Sequence, residues 1–214
     1  MIKMVVFDFD GVIVDSQDLM KQALRTCYLK AGKGDEPPYR EFFLHMGKSL
    51  KDIFEILGLP EELTECYRQV SIDNINMVKL FPETKEMLSC LNLAGINCTL
   101  LTGKDRRRTI DLLQMLDIEQ YFTFIVTPDE LWFSKPNPEG ILHILDVMDC
   151  KAGEAVMIGD AQNDIFCANS AGVCSVQMSW INVEEKIEEA DYQVANWIDF
   201  CNLINTLNQE ALIC

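Results

Sequence analysis

The chain has 214 residues, 49% hydrophobic and 24% charged, with 34 acidic against 18 basic side chains and a formal net charge of −16. That length allows one well-buried core plus a smaller accessory unit, and no apolar run is long enough to span a bilayer, so no membrane partner is expected. The acidic balance excludes a nucleic-acid surface, which needs a basic face, and means that any phosphate site must be made locally by a metal ion and a few placed cations.

In chain order, Met4 to Phe7 is the first of four short continuous apolar runs. Asp8 and Asp10 interrupt it too early for a signal peptide, which places the N-terminus in the mature fold. Residues from about Ser16 to Leu80 then carry only helical patterns, at Leu19 to Lys30, Leu50 to Leu57 and Glu61 to Val78, with a loop at Gly32 to Pro38. Further apolar runs follow at Ile96 to Leu101, Phe122 to Val126 and Ala155 to Ile158, with a weaker fifth at Val173 to Val176. Continuous rather than alternating runs suit parallel strands covered on both faces. Helical spacing lies between them, at Ile110, Leu113 and Leu116 and at Ile141, Ile144, Leu145 and Met148. The expected class is therefore α/β, a doubly wound parallel sheet, with residues 16–80 as a helical insert in a core made of 1–15 and 81–214. Asn137 and Pro138 read as a helix N-cap and first turn, and Gly172 ends the helix that starts near Ala161. Nine cysteines without a C-x-x-C pair, with Cys90, Cys98, Cys167 and Cys174 inside apolar stretches, read as buried free thiols in a reducing cytoplasm. The two histidines, His45 and His143, are too few for a histidine metal site.

Three apolar runs end on a residue suited to phosphoryl transfer: Asp8, Thr102 and Asp160. Ligands of open parallel sheets bind beyond the carboxyl ends of the strands, so these side chains converge on one crevice. A carboxylate at Asp8 can attack phosphorus and split one displacement into two steps. Asp10, two residues on, can protonate the leaving alcohol and then activate water. Gly11 lets the chain turn sharply away.

These residues, in DFDGVIVDS, resemble the first motif of the haloacid dehalogenase superfamily, hhhD-x-D-G-T/V-hhD-S/T. Thr102 after INCTLL is similar to the second motif, Lys135 in SKPNPEG to the third, and Gly159, Asp160 and Asp164 in IGDAQND to the fourth. The resemblance implies a Rossmann-like core and a phosphatase working through an aspartyl phosphate. It assigns Asp8 as nucleophile, Asp10 as acid and base, Thr102 and Lys135 as phosphate and charge partners, and Asp8, Asp160, Asp164 and the carbonyl of Asp10 as magnesium ligands. Those oxygens suit a small hard cation. Pro136 keeps Lys135 out of helical geometry. Asp10 separates the chain from dehalogenases and phosphonate-cleaving relatives, which lack an acid there.

The insert resembles the helical cap of the phosphoglycolate phosphatase and β-phosphoglucomutase-like groups. Its candidate substrate readers are Lys21, Arg25, Lys48 and Lys51, with Lys48 in HMGKSL first, while Gly103 and Lys104 join them from the core. The run Arg106 to Arg108 sits at a helix start, where cations are disfavoured, and is expected to meet the protein's own acidic surface. Three functions follow: phosphatase action on a small phosphorylated metabolite, a β-phosphoglucomutase-like mutase, or a binding protein on the same fold. The intact motif set opposes the third. Met20, where such mutases carry histidine, and Gly159 oppose the second. Substrate and oligomeric state are not legible.

Overall fold

A computed structural model describes residues 1–180 and 186–210. Its elements, in chain order, are β1 (Met4–Phe7), β2 (Val14–Asp15), α1 (Gln17–Lys30), α2 (Tyr39–Leu44), α3 (Leu50–Ile56), α4 (Leu63–Asp73), β3 (Lys79–Leu80), α5 (Thr84–Leu93), β4 (Asn97–Leu101), α6 (Arg106–Met115), β5 (Phe122–Val126), α7 (Glu139–Val147), β6 (Ala155–Gly159), α8 (Gln162–Ser170), β7 (Cys174–Met178), β8 (Tyr192–Val194) and α9 (Trp197–Glu210). Six strands form one parallel sheet in the order β5-β4-β1-β6-β7-β8.

Side chains in β1 alternate between two separate cores, as the two-residue period of a strand requires. Val5 and Phe7 join Leu88 and Leu91 of α5, Leu112 of α6 and Trp197 and Phe200 of α9, whereas Met4 and Val6 join Ile141 and Ile144 of α7 and Cys167 and Ala168 of α8. Both faces are thus covered, which is why β1, β4 and β6 read as unbroken apolar runs. The sheet is doubly wound.

Residues 17–77 form helices with a core of their own, centred on Leu24, Phe42, Phe54 and Tyr67. The insert is not wholly helical: Lys79 and Leu80 at its end pair antiparallel with Asp15 and Val14 at its start. Two residues are too short a strand for any periodicity to register. α2 also lay beyond the sequence reading, being six residues long, and the 3-10 turn Ile75–Met77 separates Val78 from α4. Pro138, rather than Asn137, stands at the cap of α7, while Asn137 Oδ1 accepts from Glu139 N at 3.0 Å. Gly172, at a φ of +69°, follows α8 as expected.

The cysteine reading needs one correction. Cys98 and Cys167 are buried and Cys174 is half-buried, but Cys90 is exposed. On α5 the inward stripe is Thr84, Met87, Leu88 and Leu91, and Cys90 falls off it. Among the described residues the cysteines are free thiols, and no described helix is long and apolar enough to cross a membrane.

Phe7 anchors the larger core, its ring meeting Phe122, Trp197 and Phe200 edge-on with centroids 6.2, 6.1 and 6.2 Å away. Phe7→Ala is expected to cost about 3–5 kcal/mol, the usual range for a buried phenylalanine, read as a lower urea midpoint in equilibrium unfolding.

Candidate active site

The three central strands β4, β1 and β6 are neighbours, and each ends one residue before a functional side chain: Thr102, Asp8 and Asp160. The sheet therefore brings the first, second and fourth sequence motifs to one edge. Lys135 arrives from the loop before α7 and Asp164 from the first turn of α8.

Carboxylate oxygens of Asp8, Asp160 and Asp164 lie within 4.8 Å of one another. At an effective dielectric near 20, like charges at that distance repel by roughly 3–4 kcal/mol per pair. Lys135 supplies the internal counter-charge. Its Nζ is 2.5 Å from Asp8 Oδ1 and 2.6 Å from Asp164 Oδ1, and it donates to Leu101 O at 3.0 Å. Burial works to lower the pKa of Lys135, but Asp164 and Asp8 outweigh it and hold the ammonium well above its ordinary value. Burial drives Asp8 up to about 7, and Asp164 adds to this, while Lys135 pulls the other way. Asp160 is raised too, by desolvation and by the charges of Asp8 and Asp164. Its side chain keeps an exposed edge, but the protein crowded around the carboxylate still strips water from it.

When all three carboxylates are ionised, one ammonium leaves two negative charges uncompensated. Asp164 Oδ1 is buried and has no hydrogen bond of usable geometry, its contact being the ion pair with Lys135. An acidic cluster of hard oxygens, one of them buried without a hydrogen bond of usable geometry, that carries minus two when fully ionised fits a divalent cation. Two glycines make the cluster possible. A Cβ on Gly11, whose φ is +87°, would overlap the Asp160 carboxylate, and one on Gly159 would overlap Asp164.

Asp10 stands apart from that cluster. Ser16 Oγ donates to its Oδ1 at 2.6 Å and Lys104 Nζ lies 3.2 Å from its Oδ2. Burial lowers the pKa of Lys104, and Asp10 acts against that shift. With its carboxylate so engaged, Asp10 has its backbone carbonyl to offer a metal. Thr102 Oγ1 accepts from Lys104 N at 3.1 Å. Asp8, Asp10, Thr102, Gly103, Lys104 and Lys48 line one narrow cavity. Gly103 faces the backbone of Gly47 and Lys48, so it is the point where the core receives the insert.

The other lysines and arginines of the insert sit elsewhere. Arg25 pairs with Asp35 at 3.0 Å and Lys51 with Glu61 at 3.0 Å, all exposed. Lys21 donates to Gln17 at 2.9 Å. Arg106 meets Glu130 at 2.7 Å and Arg108 meets Asp105 at 2.7 Å, so both are held by the protein's own acids. The sequence reading missed Ser16 as the residue that orients Asp10, although its place beside Asp15 in the first motif was a usable signal. It also missed Asn163, whose Nδ2 donates to Met46 O at 2.7 Å and pins the insert loop to α8.

The sequence from residue 5 to 178 matches the model of the haloacid dehalogenase-like hydrolase family. The chain belongs to this family. It is 27% identical over 214 residues to pyrophosphatase PpaX of Bacillus mycoides, covering 97% of this chain and 99% of that one. It is 26% identical over 189 residues to phosphoglycolate phosphatase of Pseudomonas fluorescens, covering 83% and 70%. Among solved structures, CbbY from Rhodobacter sphaeroides in complex with phosphate superposes with a TM-score of 0.81 at 19% identity, over 94% and 96% of the two chains. The chain is a phosphatase of this hydrolase family, built on the family's α/β fold.

The raised carboxylates set a pH dependence for the metal-free protein. A carboxyl whose folded pKa exceeds its unfolded value of 3.8 binds more protons in the native state, so its contribution is intact below about 4 and is lost as pH rises to about 7. In the presence of chelator, the melting temperature should fall between pH 5 and pH 8. The fall should be smaller by about 3 °C or more in Asp8→Asn, as followed by differential scanning fluorimetry.

Proposed function

We propose that the protein is a magnesium-dependent phosphatase that takes the phosphoryl group of a small phosphorylated metabolite onto Asp8 and releases it to water. The carrying observation is the pairing of two differently held carboxylates. Asp8 is fixed by Lys135 beside the acidic cluster, while Asp10, two residues on, is oriented by Ser16 and Lys104 away from it. One is placed to attack and the other to move a proton.

In this reading the Asp8 carboxylate forms a bond to phosphorus as the ester P–O bond breaks, and Asp10 gives its proton to the departing alkoxide. Asp10 then takes a proton from water as that water attacks phosphorus, freeing phosphate and restoring Asp8. Thr102 and the backbone N–H groups of the Thr102 to Lys104 loop donate to non-bridging oxygens, and Lys135 balances charge. Asp8, Asp160, Asp164 and the Asp10 carbonyl would hold the magnesium, whose charge lets an anionic nucleophile meet an anionic phosphate.

Residues 16–80 serve as a cap over this site, hinged on the β2–β3 pair, and Lys48 at the shared cavity reads the substrate. Phosphatase action is favoured over isomerisation because Met20, which lines the cavity at the position of the mutase histidine, offers no donor to protect an acyl phosphate. The absence of a membrane-spanning helix among the described residues and the free thiols support a cytoplasmic site of action.

Phosphate release from a panel of phosphorylated metabolites, including pyrophosphate and phosphoglycolate, should vanish with chelator and return with magnesium. Calcium should restore it poorly, and Asp8→Asn should stay folded while losing turnover by at least about 1,000-fold. Activity near the wild-type level in that variant would sink the mechanism. Lys48→Ala should lower kcat/KM for the physiological substrate more than for methyl phosphate, which is too small to reach the cap; equal losses would remove Lys48 as a substrate reader.

A further inference from the structure

Beyond the narrow cavity at Asp8 lies a second, larger one of about 260 Å³, and Asp10, Met20 and Met46 belong to the walls of both. Asp10, the proton carrier of the proposed reaction, therefore stands at the junction of the narrow space, which Lys48 also lines, and a wider chamber. The part of a leaving group too large for the narrow space lies in the chamber.

One side of the chamber wall is apolar. Met20, Phe43, Met46, Phe81 and Trp180 form the apolar part. Phe81 and Trp180 stack with centroids 4.6 Å apart and planes 8° from parallel. Trp180 is fixed by donating its Nε1 proton to Val12 O at 3.2 Å and by an edge contact with Trp197 at 5.2 Å. The result is a rigid aromatic wall rather than a loose apolar surface. Opposite charge is missing: the charged residues among the described lining are Asp10, Asp15 and Asp160, and no lysine or arginine is there. Residues 181–185, which follow Trp180 in sequence, contain no basic residue. Lys21, one of three basic residues of α1, stands at the chamber's edge: it is outside the described lining, but it donates to Gln17 on the wall and lies 5.9 Å over the Phe43 ring.

We infer that the leaving alcohol is neutral and carries a flat apolar or aromatic body, which the chamber holds against Phe81 and Trp180. This rests on the phosphatase reading above and narrows it. Within the described lining a second phosphate or a carboxylate would meet no lysine or arginine, since Lys104 is held by Asp10 and the proposed magnesium by Asp160, which disfavours bisphosphates, phosphoglycolate and pyrophosphate alike. The volume suffices, since an apolar cavity of about 150 Å³ already accepts benzene. The polar lining, with Ser16, Gln17 and Ser179, leaves room for a hydroxyl or two on the same body. The chemistry is unchanged: the P–O bond breaks, phosphorus passes to Asp8, and the Asp10 proton completes the alcohol.

The test compares ethyl phosphate, 2-phenylethyl phosphate, phosphoglycolate, xylulose 1,5-bisphosphate and pyrophosphate with the full chain and magnesium. The aromatic ester is expected to exceed ethyl phosphate at least tenfold in kcat/KM and to exceed every substrate with an anionic leaving group. Phe81→Ala and Phe43→Ala should each reduce the ratio of aromatic to ethyl ester about tenfold. Phe81 and Phe43 are both half-buried but sit on different units, Phe81 stacked on Trp180 and Phe43 on α2 of the insert, so the second variant keeps the test open if the first fails to fold. Binding of free 2-phenylethanol, followed by tryptophan fluorescence and weakened in Phe43→Ala, reads the chamber without turnover. A preferred bisphosphate, phosphoglycolate or pyrophosphate overturns the inference, as does an unchanged ester ratio in Phe43→Ala. Binding of the alcohol without hydrolysis of any ester would instead overturn the phosphatase reading, and the leaving-group assignment would fall with it.

Discussion

The mutual repulsion of Asp8, Asp160 and Asp164 is the constraint around which the rest of the molecule is arranged. Three carboxylates within 4.8 Å would drift apart or stay protonated without help, and among the described residues one ammonium, that of Lys135, pairs with them. The surrounding structure over-determines that position. Lys135 is anchored by the Leu101 carbonyl at the end of β4, Asp164 Oδ2 accepts from Ala161 N at 3.1 Å, and Gly11 and Gly159 remove the side chains that would push Asp160 and Asp164 away. With its carboxylates ionised the site is short of positive charge by two units, which a divalent cation from outside would supply.

Sheet order turns that local problem into a global one. Because β1 lies between β4 and β6, Asp8 is flanked by Thr102 and Asp160 through ladder pairings, with Val6 beside Thr99 and Met157 and Phe7 beside Leu100 and Ile158. A one-residue slip in either pairing would exchange the two cores on opposite faces and move the functional side chains along the edge. Packing of two separate apolar cores therefore fixes catalytic geometry as well as stability.

Much of this was legible in the sequence because the buried parallel strands leave no polar interruptions before their ends. The runs at Met4, Phe122 and Ala155 begin where the strands begin, and Asp8, Thr102 and Asp160 follow directly on their strand ends. What was not legible either is short or depends on contacts between distant segments. β8 and α9 follow the weak fifth run, and three residues in β8 carry no period of their own. Cys90 looked buried from its apolar neighbours, but its place on α5 is decided by which stripe meets the sheet. Asn163 and Met46 are 117 residues apart, and nothing local in either announces the hydrogen bond that joins them.

The run from Thr102 to Asp105 shows how closely site and insert are joined. Thr102 ends β4 and accepts from the backbone of Lys104; Gly103 lies against the backbone of Gly47 and Lys48; Lys104 reaches Asp10. Asp105 caps α6 by accepting from Arg108 N, and it also binds Arg68 of α4 at 3.1 Å. Burial acts to raise the pKa of Asp105, but Arg108 and Arg68 hold the carboxyl below its ordinary value. Four consecutive residues thus touch the strand end, the insert loop, the Asp10 carboxylate and an insert helix. Arginines at the N-terminus of α6 would oppose its dipole, and the charge of Asp105 offsets them while tying the helix to the insert. A movement of the insert that breaks the Arg68 contact would load its change directly onto the loop holding Lys104 and, through it, onto the Asp10 carboxylate. The position of the insert and the placement of the Asp10 carboxylate are therefore coupled by two ion pairs that the consecutive residues Lys104 and Asp105 join.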